Sequence, residues 1–402
     1  MKILLVHNFY QQPGGEDEVF RAEGELLESF GQQVLRYTVH NDRIKSMGRF
    51  ETMRKTFSNR EICGEIKSLV ERGDVEVVHF HNIFPLISPA AYAAARAGGA
   101  AIVQTLHNAR LLCPGGILFR DGKPCLDCVT KKFAWPGVVH GCYRGSRSAS
   151  AVLAGMTAAH RLTGTYHKQV DAYIVMTDFA RQLFTRTCLP VEKLFIKPHF
   201  VSPDPGIGPG DGGYALFVSR LSKGKGVETM LRTWKNLRAT IPLKIVGDGD
   251  LADLVCEAAQ NDSRIEWLGR RPCEEVYDLM GRAAAVLFPS ECIESFGRVM
   301  IEAYAKGTPV IASDNGAMKE LISRGKTGEL FTTGDSAALA DVVSQLFAHP
   351  TKLTQMRPHA RAAYEARYSD GNNYQQLMQI YDAAIEQRRI DAPHSVRSCE
   401  AS

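Results

Sequence analysis

The sequence predicts an α/β fold with two Rossmann-like, doubly wound parallel-sheet domains that face each other across a cleft. Short continuous apolar runs alternate with helical patterns along the chain, as they do in parallel sheets covered by helices on both faces. The 402 residues exceed what one hydrophobic core usually holds, and a segment rich in proline and glycine divides the runs into two series. Ligands in such sheets bind beyond the carboxyl ends of the strands, so we expect the functional site in the cleft.

Eleven apolar runs are candidate strands, five before the dividing segment and six after it. The first series consists of KILLVHN, QQVLRYT, VEVVHFH, AAIVQTLHN and AYIVMT. The second series consists of YALFVSR, LKIVGDG, RIEWLGR, AAVLFPS, TPVIASD and TGELFTTG. Because most of these runs are short and continuously apolar, they favour strands that are buried on both faces.

The domain boundaries follow from the dividing segment. Residues 1–200 form the predicted N-terminal domain and residues 214–370 the C-terminal domain. The linker, 201–213, contains too many prolines and glycines for a helix or a central strand. We expect residues 371–388 to form a helix that packs back on the N-terminal domain, and residues 389–402 to be a disordered tail.

Composition excludes several classes of protein. The chain is 45% hydrophobic and 23% charged, which is typical of soluble globular proteins, and its net charge of +4 argues against a dedicated nucleic-acid binder. No uninterrupted apolar run approaches the length of a membrane span. The N-terminus resembles a first buried strand rather than a signal peptide. We therefore expect a cytoplasmic protein that binds no nucleic acid and whose ten cysteines are mostly reduced.

The stretch ECIESFGRVMIEAYAKGTPVIAS contains a predicted helix start. Ser295 is a good N-cap, and Phe296 and Gly297 would open a helix that runs to about Lys306. The first turn of a helix has unpaired backbone N–H groups and a partial positive charge, so it suits a phosphate. Gly297 would let that phosphate approach the backbone closely.

Two carboxylates, Glu294 and Glu302, flank this helix start. Glu302 lies roughly 1.5 turns into the helix, about 8 Å along its axis. That separation suits a sugar at one end of a diphosphate and a ribose at the other, and it does not suit two carboxylates that share one proton. The alternative is that both are ordinary solvated acids.

Other candidate ligand groups lie in two loops that follow strands. Arg220 and Lys225 flank a glycine-rich turn, where two cations can neutralise a departing diphosphate without a metal, although such residues are more often solvated. Gly247 begins the pattern GDGDLA, a weak match to the dinucleotide fingerprint. Asp248 and Asp250 in that pattern form an acid-x-acid pair for Mg²⁺, but turn aspartates are commonly structural.

A third glycine loop lies near the N-terminus. Gly14 and Gly15 in YQQPGGEDEVF precede an amphipathic helix and permit close backbone approach to a ligand. A plain flexible turn explains the same pattern.

In this order the motifs resemble those of the retaining family-4 glycosyltransferases of the GT-B fold, of the type that builds bacterial polysaccharides and lipid-linked glycans. The segments that carry the resemblance are HNFYQQPGGEDEVF, SRLSKGKGVETM, IVGDGDL, EWLGR and ESFGRVMIEAYAKGTPVIASDNGAMKELI. The similarity extends over about residues 1–388 and is most specific in the segment from Glu294 to Glu302.

The resemblance implies that the C-terminal domain binds a nucleoside-diphosphate sugar. Arg220 and Lys225 would hold the diphosphate, Glu294 the hydroxyls of the sugar and Glu302 the ribose. The backbone from Ser295 through Phe296 to Gly297 would contact phosphate or sugar. Gly247 and Leu268 would belong to the same substrate site, with the segment 267–269 near the base.

The resemblance also implies the reaction. The sugar would move to a glycan or lipid-linked acceptor held by the N-terminal domain, with retention of anomeric configuration and no metal needed for catalysis. His107, at the end of a predicted strand, would lie close to the donor sugar and the acceptor, with His81 in reserve. Glu294 and His107 would shape an oxocarbenium-like centre, while Arg220 and Lys225 offset charge on the leaving diphosphate. The alternatives are a nucleotide-sugar epimerase, a dehydrogenase that uses GDGDLA, and a sugar-binding protein without activity.

Four cysteines lie in an insertion, residues 110–146, that is not general to the GT-B fold although some family-4 members have a similar segment. Cys125 and Cys128 form a C-x-x-C knuckle, and Cys113 and Cys142 flank it. This spacing suits a structural zinc site. Unligated thiols are the principal alternative, with disulfides or an Fe–S cluster as weaker ones.

The segment 36–60 carries seven basic residues against two acidic ones, and apolar residues recur in it at helical spacing. Such a segment can lie on an anionic membrane surface, which would make the protein peripheral on the cytoplasmic membrane face. The alternative is a helix that packs its apolar stripe inward.

Overall fold

The structure is a computed structural model that describes residues 1–12, 14–186 and 189–391. The strands within these ranges are β1 (Lys2–Phe9), β2 (Gln33–His40), β3 (Val77–Phe80), β4 (Ala101–Thr105), β5 (Phe119–Arg120), β6 (Lys123–Pro124), β7 (Ala172–Val175), β8 (Leu194–Ile196), β9 (Ala215–Val218), β10 (Leu243–Val246), β11 (Ile265–Gly269), β12 (Ala285–Phe288), β13 (Val310–Ser313) and β14 (Gly328–Phe331).

The helices in the same ranges are α1 (Gly15–Ser29), α2 (Arg49–Phe57), α3 (Arg60–Gly73), α4 (Ala90–Ala97), α5 (Trp135–Val139), α6 (Arg147–Leu162), α7 (Thr165–Lys168), α8 (Asp178–Thr185), α9 (Val227–Asn236), α10 (Ala252–Asn261), α11 (Cys273–Arg282), α12 (Arg298–Ala305), α13 (Met318–Leu321), α14 (Ser336–Phe347), α15 (Pro350–Arg367) and α16 (Asp370–Asp391). Two short 3-10 helices, Asn41–Ser46 and Val191–Lys193, complete the set.

Two six-stranded parallel sheets form the core of the fold, in the orders β2-β1-β3-β4-β7-β8 and β11-β10-β9-β12-β13-β14. The predicted fold class is therefore confirmed, and all eleven predicted strands occur. The central strands β3, β4, β7 and β13 are buried along their whole length, which explains their continuous apolar sequences. The sequence analysis missed β8 and the hairpin β5–β6, because segments of three and two residues carry no usable periodicity.

The last helix crosses from the C-terminal half of the chain to the N-terminal sheet. Helix α16 contacts β4, β7 and α1, and Leu377 and Tyr381 are fully buried in the same apolar cluster as Ile3 and Leu5 of β1. It continues to Asp391, so the first three residues of the predicted tail are helical. The remainder of that tail, 392–402, lies outside the described residues.

The basic segment 36–60 spans the end of β2, a 3-10 helix and α2. Phe57 packs inward, since a Cβ at Gly155 of α6 would lie 3.5 Å from its ring. Phe50 at the other end of α2 is 74% exposed. No helix in the described part of the chain is both long and apolar enough to cross a bilayer.

The docking of α16 can be tested by shortening one buried side chain. Leu377→Ala should lower the free energy of unfolding by about 2–5 kcal/mol, because it leaves a cavity between α16 and the N-terminal sheet. Ile390→Ala, in the same helix but at a side chain that is 68% exposed, is the matched control. It should change stability by about 0.5 kcal/mol or less. Urea unfolding followed by circular dichroism measures both, and equal losses in the two variants would contradict this packing.

Candidate active site

The loop between β9 and α9 carries Lys225 to the cleft edge of the C-terminal sheet. Gly226, with φ +76°, follows it, and a Cβ there would lie 1.9 Å from the carbonyl oxygen of Pro289. Only glycine fits this approach without a shift of backbone. The loop therefore lies directly against the loop that follows β12, and this contact is required to bring Lys225 beside Glu294.

Lys225 and Glu294 form an ion pair, with Nζ 2.6 Å from Oε1, and both side chains retain some solvent contact. The Ser290 hydroxyl donates to the same carboxylate oxygen at 2.8 Å, and the Cys292 thiol lies 3.4 Å from it. Burial opposes ionisation of Glu294, but the charge and hydrogen bond of Lys225 outweigh it and hold the pKa of Glu294 below its ordinary value. Burial and the adjacent Glu294 raise the pKa of the Cys292 thiol to about 12, so this group is a neutral donor.

Backbone hydrogen bonds fix the loop that carries Glu294. The Gly224 carbonyl accepts from the amides of Glu291 and Cys292 at 2.8 and 3.0 Å. The Asn315 side-chain amide donates to the carbonyls of the same two residues, at 3.1 and 2.9 Å. The Ala317 amide donates to the Glu294 carbonyl at 3.0 Å. Glu294 is therefore held in position by backbone contacts as well as by its ion pair.

The predicted start of the helix after Glu294 was wrong by two residues. Helix α12 begins at Arg298 with Gly297 as N-cap, so Phe296 and Gly297 do not lie inside it. Ser295 caps nothing, because its hydroxyl donates to the His107 carbonyl in the other domain at 3.2 Å. Its own carbonyl accepts from the Thr177 hydroxyl at 3.0 Å. Ser295 therefore makes hydrogen bonds to the other domain instead of capping α12.

Arg298, which the sequence analysis did not single out, lies at the start of α12 and joins the two domains. One of its guanidinium nitrogens is 3.0 Å from Oε1 of Glu302, and the other donates to the Gly15 carbonyl at 3.4 Å. Glu302 is therefore neutralised one turn below the helix start. Arg220 also reaches the glycine loop of the N-terminal domain, since a Cβ at Gly14 would lie 3.9 Å from its guanidinium. The i, i+4 spacing of Arg298 and Glu302 is the sequence pattern that could have predicted this ion pair.

Gly247 directly follows β10, and Leu268 lies near the end of the adjacent strand β11. Gly247 has φ +137°, and a Cβ there would lie 1.9 Å from the Ser219 carbonyl oxygen. Its carbonyl accepts from the indole of Trp267 at 3.0 Å, while Leu268 packs partly buried against the core of the domain. Within the described ranges, the nearby Asp248 and Asp250 belong to no group of three metal-ligand atoms, so the Mg²⁺ alternative gains no support.

Asp17 holds the glycine loop of the N-terminal domain in place. This buried carboxylate accepts from the Gly14 amide at 2.8 Å and lies 2.7 Å from Nε2 of His7. Glu16 next to it accepts from Asn108 at 2.7 Å, while its second oxygen is buried with no hydrogen-bond partner. Burial raises the pKa of Glu16. Neither acid stood out in the sequence, because both also fit the polar first turn of a helix.

His107 lies in a stack of imidazoles behind the cleft. Its ring is 5.2 Å from that of His81 and 5.3 Å from that of His199, and the latter contacts Phe296 edge-on at 5.2 Å. His107 Nε2 is 3.1 Å from His81 Nδ1, whereas its Nδ1 is buried without a partner. Burial is the main cause that lowers the pKa of His81, His107 and His199 well below the ordinary value. The three rings are therefore neutral at pH 7.

Glu23, His79 and His81 form the group of three metal-ligand atoms that the described ranges contain. The geometry does not favour a metal there. Lys197 already donates to Glu23 at 2.5 Å, and both nitrogens of His79 have partners in Tyr381 and Thr105. A cation would have to displace a buried ammonium, so we interpret this cluster as a structural network.

The predicted zinc ligands lie close together in the insertion. Burial and then the neighbouring thiols of Cys113, Cys142 and Cys125 raise the pKa of Cys128 to about 11. None of the four cysteines forms a disulfide. No three of their sulfur atoms in the described part of the chain lie within 4.8 Å of one another.

Two domains, each built on a six-stranded parallel sheet, form a GT-B fold. Sucrose-phosphate synthase from Thermosynechococcus elongatus superimposes with a TM-score of 0.71 at 17% identity, covering 95% of this chain and 98% of that one. Anabaena HepE in complex with UDP superimposes with a TM-score of 0.65 at 19% identity, covering 95% and 100%. These similarities establish the fold.

Residues 206–363 match the family model for glycosyl transferases group 1, and the C-terminal domain belongs to that family. Phosphatidyl-myo-inositol mannosyltransferase of Mycobacterium leprae is 31% identical over 234 residues, which are 54% of this chain and 60% of that protein. The match therefore spans less than two thirds of that relative's length.

The ion pair at the site predicts a pH-dependent loss of stability in Lys225→Met. The lowered pKa of Glu294 stabilises the folded wild type above the pKa of the unfolded glutamate, and this contribution is lost as the pH falls through the folded pKa. The variant should thus be less stable by about 1–2 kcal/mol at pH 7, with the partial exposure of both side chains limiting the effect. The difference should close below about pH 4.

Thermal unfolding across this pH range measures the difference. Lys244→Met, which breaks the more exposed pair with Glu266, is the control and should show little change at any pH. A loss in Lys225→Met that stays constant with pH would contradict the role given to the Glu294 charge.

Proposed function

We propose that this chain is a retaining glycosyltransferase that moves a sugar from a nucleoside-diphosphate donor to a glycan or lipid-linked acceptor. The observation that carries the proposal is the meeting of two arginines with the Gly14–Gly15 loop, next to the connection that carries Lys225. Arg220 and Arg298 come from the C-terminal domain and contact this loop of the N-terminal domain, and Lys225 lies in the same β9–α9 connection as Arg220. Such a cluster suits a diphosphate bound between the domains.

Under this proposal each group has a distinct task. The cations would offset the charge that develops on the leaving diphosphate, and the first turn of α12 would add unpaired amides. Glu294 would hold hydroxyls of the donor sugar, since its pKa is lowered and it stays ionised. Glu302 would bind the ribose, with Arg298 setting its orientation. HepE, a structural neighbour, was solved with UDP.

The hydrogen bonds of Glu294 bear on the route by which configuration would be retained. Retaining glycosidases use a free carboxylate as nucleophile, close to a second carboxyl group. Here Lys225 and Ser290 donate to Oε1 of Glu294. A carboxylate committed in this way is a poor nucleophile, so we favour attack on the same face of the sugar, with the leaving phosphate oxygen taking the acceptor's proton.

His107 would contribute a neutral imidazole beside the reacting carbon. Its lowered pKa keeps it uncharged, so it would not repel an oxocarbenium-like centre. Its unpartnered Nδ1 is the atom that would bind a hydroxyl of the donor or the acceptor.

The test is product analysis with purified protein, a panel of UDP- and GDP-sugars, and glycan and lipid-linked acceptors. We expect transfer only with donor and acceptor together, and NMR of the product should show the anomeric configuration of the donor. A sugar changed in the presence of donor alone would identify an epimerase instead.

Site variants provide the matched comparison. Glu294→Ala and Lys225→Ala should each lower kcat/KM by about 100-fold or more, because each removes charge stabilisation at the reacting centre. Glu266→Ala, which removes an exposed carboxylate in the same domain, should retain wild-type kcat/KM. Full turnover in either site variant, in a sample with a wild-type circular dichroism spectrum, would refute the site assignment.

We also propose that the segment 36–60 rests on an anionic membrane surface when the acceptor is lipid-linked. The M. leprae relative is named for a phosphatidyl-inositol substrate, and exposed Phe50 in this chain stands beside Arg49 and near Arg54. The double variant Arg49→Glu/Arg54→Glu should lose co-sedimentation with phosphatidylglycerol vesicles. Arg282→Glu, a single charge reversal at an exposed site in the C-terminal domain, should not. Unchanged binding by the double variant would remove this proposal.

A further inference from the structure

The insertion 110–146 is ordered without much regular structure or core of its own. Its regular elements are two strands of two residues and one helix of five. Several of its large apolar side chains are 42–54% exposed, namely Ile117, Leu126, Phe133, Trp135 and Val139. Leu111, Leu112, Leu118 and Val129 anchor the insertion in the apolar core of the N-terminal domain. A metal would add stability to the more exposed remainder.

The first and last cysteines of the insertion approach each other across a glycine. A Cβ at Gly115 would lie 3.7 Å from the sulfur of Cys113 and 3.6 Å from the Cβ of Cys142. It would also lie 3.1 Å from the Cys142 carbonyl, so the turn at Gly115 depends on the missing side chain. Residues that are 29 positions apart in sequence are therefore neighbours in space.

Cys128 of the C-x-x-C knuckle lies close to the same part of the insertion. A Cβ at Gly137 would lie 3.5 Å from the sulfur of Cys128 and 2.9 Å from the ring of Pro114, the residue after Cys113. The Cys142 amide donates to the Gly137 carbonyl at 2.9 Å. Cys125 follows the hairpin β5–β6, and its amide donates to the Leu118 carbonyl at 2.8 Å. The Gly115 contact thus brings the two flanking cysteines together, and the Gly137 contact brings Cys128 of the C-x-x-C pair next to Pro114.

We propose that Cys113, Cys125, Cys128 and Cys142 bind one Zn²⁺ ion in a tetrahedral, purely structural site. Binding exchanges the four S–H bonds for four Zn–S bonds of about 2.3 Å and releases the thiol protons to solvent. The sulfurs have to move closer together than the described arrangement, in which no three lie within 4.8 Å of one another. Side-chain rotation between staggered wells moves a sulfur while the backbone turns stay in place.

Other fates of these thiols fit less well. None of the four forms a disulfide, and Cys128 is buried, so it is shielded from oxidants. Arg120, the basic side chain next to the knuckle, is engaged by Asp121 and Asp127. Zinc binding would replace the thiol protons, and the divalent cation itself would neutralise the resulting thiolates.

The site would support the wall of the donor pocket. Phe119 of β5 packs on Gly224, where a Cβ would lie 3.2 Å from its ring. Gly224 directly precedes Lys225. Zinc would thus fix a hairpin of the N-terminal domain against the loop whose lysine pairs with Glu294. The metal itself takes no part in the reaction.

Metal analysis of the full chain tests the proposal independently of any activity. Protein purified from a zinc-supplemented culture should contain about one zinc per chain, and a mercurial thiol reagent should release it to a chromophoric indicator. Cys125→Ser and Cys128→Ser should each lower zinc at least tenfold. Cys256→Ser, at a partly buried thiol on α10, is the matched control and should retain it. If a variant does not fold, mercurial release from the wild type supplies the stoichiometry.

A second measurement locates the ion. Removal of zinc from the wild type should speed tryptic cleavage at the exposed Lys131 and Lys132 of the insertion, and cleavage elsewhere should stay the same. Cobalt substitution should produce thiolate-to-metal bands that Cys113→Ser and Cys142→Ser each weaken. A folded wild type with four titratable thiols and no metal would overturn the proposal, as would disulfides, an iron chromophore, or zinc retained in every cysteine variant.

Discussion

The ion pair between Lys225 and Glu294 is the interaction on which the rest of the cleft depends. It joins the loop after β9 to the loop after β12, and the Gly224 carbonyl reinforces the joint by accepting two amides. The second loop then continues directly to Ser295, which is bound by His107 and Thr177 of the N-terminal domain. A substitution at Lys225 that moved the loop after β12 would therefore also move Ser295 and its hydrogen bonds to the other domain.

Sequence reasoning predicted the architecture well because parallel strands buried on both faces leave a strong and local signal. Most predicted strands lie where a continuous apolar run ends in glycine or a polar residue, and β13 with its fully buried VIAS is typical. The same reasoning identified Lys225 and Glu294, which lie at strand exits. It failed where a side chain found its partner far away in sequence. Ser295 fits a local cap perfectly well in the sequence, yet its hydroxyl binds a carbonyl 188 residues away.

Buried polar residues form the other group that the sequence could not place. Glu23 resembles one more acid on an amphipathic helix, but it is fully buried and paired with Lys197, which itself is bound by Asn373 of α16. A buried charge is tolerated only with such partners, and the residues next to Glu23 in the sequence do not indicate that it has them. The position of α16 was predictable from its apolar residues. Its part in the polar network, through Asn373 and through Tyr381 on His79, was not.

The two sides of the cleft differ in charge, and the buried polar network accounts for the N-terminal side. On the N-terminal side, His81, His107 and His199 are kept neutral by burial, and the charges of Glu23 and Lys197 cancel within the cluster. On the C-terminal side, Arg220, Lys225 and Arg298 lie around the entrance, and Glu294 and Glu302 each neutralise one of them. A dianionic group would therefore be drawn to the C-terminal side, while an uncharged hydroxyl meets the neutral imidazoles opposite. The difference in charge follows from burial of the imidazoles on the N-terminal side and from the position of the cationic loops on the C-terminal side. The two sides of the cleft therefore differ in charge before any substrate binds.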